Sequence, residues 1–543
     1  MAAEYMLHEL MDMGIPCHME EFDAYLSNPL ESTLLVGEGK PAQIVSRPRS
    51  FSGDCPLPVI APLIYDPDTL THTETPAKRQ AALESMKGKI VLGYGYDEKY
   101  AQLLQQAGAL GWIQIWTSDD EDIHEDTVGA AWGTPDLDSC LLALSIPAAA
   151  VTMADGKHLI RLWEESGKSL TVSLSVRVSN QVCRVLLPVG EIPGGSEDFV
   201  LLSSHYDTWY QGAVDNCTGN SALLEIARLL YANRSHLKRS VRLCWWPGHS
   251  NGRYMGSTWY CDNHWFELKE HCIAHLNSDL SGSLCADTPA IRSVGPEGEG
   301  WLRQAAARAV DADFVMLGGI GRGADQSFWG VDIPYHINPR YERLPEFKTS
   351  TAPGAGVPWW HTSKDTYDKV DLHVLELDTR LLLDMSFELA AADLLPFQTT
   401  EYFDGMYRLL EQADVRSDEE FVFSPLLEAL KETECLCAKV LSGDTYSTET
   451  KNQVIKLAGG TLNRLRQSYG SPFGHDPAFA YGSFPMLSES SRCRRDETPP
   501  EQYLFCRTSF VRQSNRMLWE LGTLNRRIKL LTGEQNIGKT IFI

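Results

Sequence analysis

The chain has 543 residues, more than one hydrophobic core usually organises, so roughly two to four domains are expected. Hydrophobic residues make up 43% and charged residues 22%, a globular balance that excludes a disordered or collagen-like polymer. With 48 Lys and Arg against 72 Asp and Glu, the formal charge of −24 argues against a general binder of nucleic acid or anionic membrane surfaces.

The opening MAAEYMLHELMDMG alternates acidic and apolar residues and has no basic segment leading into an apolar one, so no signal peptide is expected. The longest apolar stretch, residues 140–153, is too short to span a bilayer and contains Pro147. Thirteen cysteines, with Cys435 and Cys437 as the one close pair, read as reduced thiols and give the expectation of a cytoplasmic protein.

In chain order, the pattern predicts a helix over 5–13, then a hairpin of strands 32–36 and 43–46 turning through residues 37–40. From 50 to about 178 a small α+β unit is expected. Its parts are a strand at 89–93, a helix over 100–107 stopped by Gly108, a strand at 112–116, an acidic loop at 119–125, and a short apolar strand before a helix over 156–165. Buried strands at 199–204, 241–246 and 273–279 then alternate with an amphipathic helix over 221–232. That alternation predicts an α/β core with a mostly parallel sheet and helices on both faces, whose ligands gather where strands end. After Thr399 the chain reads as helical, over 402–412, 419–441, 451–467 and 510–531, with a Gly/Pro/Ser-rich loop at 469–500.

Four polar positions stand at predicted strand ends or beside helix starts. Ser204-His205-Tyr206-Asp207 closes one strand, Asp215 follows shortly before a helix, Asn277-Ser278-Asp279 closes another strand, and Trp360-His361-Thr362 lies farther on. Parallel strands share one carboxyl edge, so His205, Asp215, Asp279 and His361 are expected to converge. They form a mixed nitrogen and oxygen set suited to zinc or another divalent metal, as one or two ions. Asp215 is placed to bridge, and Asp207 to accept from the second ring nitrogen of His205. Singly, Asp215 also reads as a helix cap, and Asp279 as an Asx turn. The joint pattern carries the expectation.

The segments HYDTWYQGAVDNCTGNSALLEIARLL, VRLCWWPGHSNGRYMGSTWY, HLNSDLSG, GADQSFWGVDIPYH and WWHTSKDTYDKVD follow one another in an order that resembles the co-catalytic zinc exopeptidases. Within that family the chain resembles the branch of glutamate carboxypeptidase II and the transferrin receptor. GKIVLGYGY, AGALGWIQIW and IPAAAVTMADGKHLI together resemble a protease-associated (PA) domain, and LNRLRQSYGSPFGHDPAFAYGSFP resembles that branch's helical dimerisation domain. The resemblance implies a metallopeptidase-like core from 1–50 and 180–398, a PA-like insert at 51–179, and a helical domain at 399–543 that makes a homodimer and brings residues 471–483 to the pocket rim. It implies one metal on His205, Asp279 and bridging Asp215, and a second on His361 and Asp215.

The family completes its second metal with a glutamate, preceded by a glutamate that serves as general base, in a Trp-x-x-Glu-Glu-x-Gly segment. Here Trp246-Pro247-Gly248-His249-Ser250-Asn251-Gly252 carries neither. A lost general base costs on the order of 10²–10⁴ in rate, so His249 becomes the candidate for one vacated role, ligand or base. With one carboxylate fewer, a single-ion site is plausible. The expected function is a zinc-type metallohydrolase acting on a small peptide or amino-acid derivative, at an amide or other C–N bond, with His249 and Asp207 as catalytic candidates. A lyase or isomerase on the same fold is one alternative, and a non-catalytic binding protein like the transferrin receptor is another. Four convergent polar groups are costly to keep without a cation, which favours the enzyme. Substrate-binding candidates are Trp209 and Tyr210 between two ligands, Trp360 beside His361, and the loop arginines Arg253, Arg322, Arg340 and Arg343. Trp245 and Trp246, on a strand, are expected to pack in the core.

Overall fold

The computed structural model describes residues 1–37, 39–67, 76–94, 98–117, 121–293, 299–319, 325–342, 357–397, 399–479 and 482–533. Among them, fourteen strands form one connected sheet. Its central part runs in the order Thr288–Ser293, His336–Glu342, Cys272–Asn277, Phe199–His205, Ser240–Trp246 and Thr171–Ile192. It continues through Cys55–Asp66, Ile90–Gly93, Gly111–Ile115 and Ala148–Val151.

Two long strands connect these regions. Cys17–Val36 lies antiparallel along Thr171–Ile192, from Cys17 opposite Gly190 to Val36 opposite Val172, and residue 179 falls inside this ladder. The expected hairpin forms, with Leu34 opposite Ile44, but its first strand begins at Cys17. The long ladder is absent from the sequence expectation because its middle faces solvent on much of its surface. There the strands carry charged and polar residues, and a register shift at Pro29 interrupts the alternation.

The part that positions the site is parallel. Phe199–His205 pairs in parallel with both Ser240–Trp246 and Cys272–Asn277, and the latter with His336–Glu342. Successive side chains point to opposite faces. Val200, Leu202, Leu243 and Trp245 therefore enter one apolar cluster, with Leu223 and Ile226 of helix Thr218–Ala232 and Leu381 and Met385 of helix Leu372–Ala391. Phe199, Leu201, Cys244 and Trp246 enter the other, against Met255 and Tyr260 of helix Met255–Asn263 and against Phe328. Trp245 and Trp246 are thus both core residues, each fully buried. Each such side chain contributes on the order of 1.5–3 kcal/mol of burial, which makes these strands a rigid platform.

The C-terminal helices lie at Thr399–Arg416, Ser424–Ser442, Thr448–Gln467 and Pro500–Leu531. Ser424–Ser442 starts later than its apolar pattern suggests because Pro425 takes the first turn, where a missing N–H is tolerated. Pro500 likewise opens the last helix ten residues ahead of the expected start. Their apolar faces join the same cluster as the central sheet, through Met406, Val454 and Leu521.

Candidate metal centre

Strand register brings the first two site residues together. Asn277 lies opposite Ser203, so two residues farther along each chain Asp279 stands beside His205. The His205 Nε2 is 3.3 Å from Asp279 Oδ1 and 3.1 Å from Asp215 Oδ1. The other oxygen of Asp215 is 3.1 Å from Nε2 of His361. One carboxylate therefore links two imidazoles. All four residues are buried.

The loops that deliver them are tied down. Asp365 accepts from the backbone N–H groups of Val214 (2.9 Å) and Asp215 (3.0 Å), fixing the turn before helix Thr218–Ala232. Burial lifts the Asp365 carboxyl to about 6, although those two N–H groups act against the shift. Asn216 donates to Ser204 Oγ and to the Ser278 carbonyl, joining the Asp215 turn to both ligand-bearing strands. His361 sits at φ 56°, in the left-handed region, and is held there by residue 125: its Nδ1 bonds the Glu125 carbonyl at 2.8 Å, and its own carbonyl accepts from the Glu125 N–H at 2.9 Å. Arg340 donates to the Asp279 carbonyl at 2.8 Å and pairs with Glu342. It is thus a scaffold arginine beneath the site.

Asp207 acts differently from its expected role. His205 Nδ1 bonds the main-chain carbonyl of Asp207 at 3.0 Å, while the carboxylate stands 4.0 Å away. That carboxylate accepts instead from the backbone N–H groups of His249 (2.8 Å) and Ser250 (3.1 Å). The strand ends at His205, so the chain turns back and offers its carbonyl first. The carboxylate is left to anchor the segment where the family keeps its glutamates.

His249 is thereby placed over the centre. Its ring stacks on His205 with centroids 3.8 Å apart and planes at 11°, and Tyr254 meets it edge-on at 4.8 Å. His249 Nδ1 is 2.8 Å from Asp325 Oδ2. Ligand atoms of His205, His249 and Asp279 all lie within 4.8 Å of one another. This donor set fits a divalent cation: nitrogen and oxygen atoms converge in a buried place where the carboxylates need a counter-charge. Without a cation, the imidazole takes that part. Burial pulls the His205 pKa down, but hydrogen bonds to Asp215 and Asp279 reverse this and hold it well above its usual value. Burial likewise works to raise Asp215, yet its bonds to His205 and His361 hold its carboxyl well below the ordinary range.

The substrate candidates separate. Trp209 is half-buried and edge-on to His361 at 6.2 Å, and the exposed Tyr210 donates its hydroxyl to Glu125 at 2.7 Å. Both remain at the mouth of the site. Trp360 is buried and stacked between His361 and Trp116, so its ring backs the candidate ligand His361. Arg253 is buried too, paired with Glu98 and bonded to the Ala478 carbonyl, which makes it a junction of three chain segments. Arg322 and Arg343 lie outside the described residues. Sequence reasoning did not single out Asp325, Asp365 or Glu125. Asp325 and Asp365 stand inside the quoted motifs GADQSFWG and HTSKD, and only contacts distinguish them from neighbouring polar residues.

A parallel α/β core with two imidazoles and two aspartates at its carboxyl edge defines a metallopeptidase-type protein. Residues 189–385 match the family model of peptidase family M28. It is 24% identical to the probable glutamate carboxypeptidase AMP1 of Arabidopsis thaliana, over 84% of this chain and 74% of that protein. It is 29% identical to mouse aminopeptidase NAALADL1, over 38% of this chain and 30% of that protein, so this match spans under a third of the relative. Among solved structures, the aminopeptidase from Aneurinibacillus sp. strain AM-1 superposes with a TM-score of 0.55 at 20% identity, covering 72% of this chain and 88% of that one. BSAP, a zinc aminopeptidase from Bacillus subtilis, gives 0.52 at 20% identity, covering 71% and 87%. These structural likenesses establish the fold.

Proposed function

We propose that the chain is a zinc-dependent hydrolase that cleaves an amide or related C–N bond in a small peptide or amino-acid derivative, with His249 in the place of a family glutamate. The observation that carries this is the meeting of His205, Asp215 and Asp279 around one point, with His249 within reach of it. His205, Asp279 and Asp215 would hold the ion, with His249 beside them as ligand or general base. A divalent cation there supplies Lewis acidity toward a carbonyl and acidifies water. Asp207 holds the His249 segment in place, and Trp209 and Tyr210 wall the approach. The names of the relatives, carboxypeptidase and aminopeptidase, support action at a chain end.

The wider reading keeps 51–179 as a PA-like unit and 399–543 as a dimerisation unit. Exposed Leu504, Val511, Trp519 and Leu530 along helix Pro500–Leu531 support a homodimer formed through the helices. Thirteen free thiols support a reducing, cytoplasmic setting. Among the described residues, no helix is long and apolar enough to cross a membrane.

The test is to load purified protein with zinc and offer it aminoacyl-p-nitroanilides and N-acyl dipeptides ending in glutamate, in ¹⁸O-labelled water. Cleavage with label in the released carboxylate is expected. Zinc uptake with unlabelled product would point to a lyase or isomerase instead. Absence of zinc uptake would leave a binding protein on a peptidase scaffold.

A further inference from the structure

Far from the candidate metal centre, the chain before the last helix folds back and brings two thiols into contact. Glu489–Arg492 is a short helical turn, and Cys493 follows it. The Glu497 and Thr498 N–H groups then bond the Arg494 carbonyl, and Pro500 opens helix Pro500–Leu531, which carries Cys506. Ion pairs hold this fold-back together. Arg494 pairs with Asp418 at 3.1 Å, while Glu420 takes Arg495 at 3.1 Å with one oxygen and Arg507 at 3.0 Å with the other. One carboxylate thus ties the neighbourhood of Cys493 to that of Cys506. Ser490, fully buried, meets Ser417 Oγ at 2.7 Å and anchors the turn from below. Within this frame the Cys506 thiol hydrogen-bonds the Cys493 sulfur. Both side chains pack against the central apolar cluster yet stay only half-buried, within reach of a small oxidant. Cys506 faces away from the exposed Leu504, since two positions along a helix turn a side chain to the opposite side.

We infer that Cys493 and Cys506 form a redox modification site, in which a small peroxide oxidises Cys493 and Cys506 resolves it to a disulfide that closes residues 489–493 onto helix Pro500–Leu531. The two thiols are unequal. The bond from Cys506 holds the Cys493 thiol below its ordinary pKa, with the Arg492 and Arg79 guanidiniums adding to the effect and burial and Glu489 opposing it. Donation to Cys493 and burial push Cys506 up. A thiolate is the attacking species, so Cys493 reacts first. Its sulfur bonds one peroxide oxygen as the O–O bond breaks, and the departing hydroxide leaves as water with the thiol's proton. Cys506 then loses its proton and attacks the sulfenic sulfur. The S–S bond forms, the S–O bond breaks, and a second water leaves. Two thiols have given two electrons to one peroxide. In a reducing compartment the pair rests as the dithiol and is returned to it by thiol exchange. None of this depends on the metal-dependent reading above.

The test maps disulfides in the full-length protein. Reduced, desalted protein is treated with hydrogen peroxide, quenched with catalase, blocked with N-ethylmaleimide and digested for mass spectrometry. In the folded wild type the peptides carrying Cys493 and Cys506 should be joined ahead of any other pair, and dithiothreitol should separate them. In C506S the resolving thiol is gone, so dimedone should trap Cys493 as its sulfenic acid. Labelling of Cys506 in C493S should be about tenfold weaker, the ratio that one unit of pKa gives in thiolate fraction. Exposed Cys435, on helix Ser424–Ser442, is the internal reference for indiscriminate oxidation. A folded wild type that links other cysteines as readily, or links none, overturns the inference. Labelling of Cys493 in C506S no stronger than that of Cys435 overturns it as well, and stronger labelling of Cys506 than of Cys493 overturns the assigned roles. Circular dichroism confirms the fold of each serine variant; should either fail, the linkage map of the wild type decides the matter alone.

Discussion

The imidazoles of His205 and His249 lie face to face, 3.8 Å between ring centroids, with His205 bonded to two aspartates and His249 to a third. His205 ends a strand and His249 follows the neighbouring strand, where Trp246 is the register partner of His205. Packed against His205 in this way, His249 is part of the candidate site. For H249A we expect zinc content or turnover to fall roughly tenfold or more, the low end of what a lost general base or ligand costs. Metal analysis and steady-state kinetics on the variant check this, and an unaffected enzyme would take His249 out of the mechanism.

Ion stoichiometry follows from the same geometry. His249 groups with His205 and Asp279, which leaves His361 and the second oxygen of Asp215 as the donors on the other side. Two protein ligands are fewer than the three that a catalytic zinc site ordinarily keeps. One zinc per chain should therefore survive gel filtration in metal-free buffer, with any second ion lost. Elemental analysis of the eluted peak reads this directly, and two retained equivalents would contradict it. Stripping the tight ion should lower the melting temperature, since an ion bound 100-fold above its Kd stabilises by about 2.7 kcal/mol.

Much of this was legible in the sequence, and the reasons are physical. His205 ends one buried strand and Asp279 follows another by two residues, each strand starting apolar and turning polar toward its end, which marks where the strands stop. Strand boundaries came within a residue or two in the parallel core for the same reason. Asp325 was not legible because its role depends on a contact across the fold, with a histidine 76 positions away in sequence. The stacking of Trp360 on His361 was not legible because an aromatic beside a candidate ligand looks alike from sequence whether it faces substrate or packs behind that residue. The outer half of the Cys17–Val36 ladder escaped notice because solvent-facing strands carry little hydrophobic signal.

Trp360 supports His361 by stacking at 3.4 Å between centroids, with Trp116 behind it. Removing so large a buried ring leaves a cavity, and W360A should cost about 3–5 kcal/mol of stability. Because His361 is held in a left-handed conformation, the loss should also lower zinc-dependent turnover. W360F retains an aromatic face and should recover most of both. Denaturant titration alongside kinetics separates the roles: a raised KM with unchanged stability would restore Trp360 to the substrate wall.

Asp378 predicts a pH dependence that needs no titration of the candidate metal ligands. It lies on helix Leu372–Ala391, is buried, and accepts from the backbone N–H groups of Gly282 (2.7 Å) and Tyr341 (2.5 Å). Burial raises its pKa to about 7; the two N–H groups and Arg340 act against that, and Glu342 adds to it. The folded value is above the ordinary 3.8, so between about pH 4 and pH 7 the native state keeps a proton that the unfolded chain has released. Stability from this group is thus fully present below pH 4 and declines as pH rises through 7, by up to ~1.4 kcal/mol per unit. D378N cannot titrate and should flatten that slope. Its amide also takes an acceptor from one N–H, so its absolute stability at pH 5 should fall by about 1–3 kcal/mol. The slope of unfolding free energy between pH 5 and 7, wild type against D378N, is the quantity to measure, and parallel slopes would show that Asp378 ionises normally in the fold.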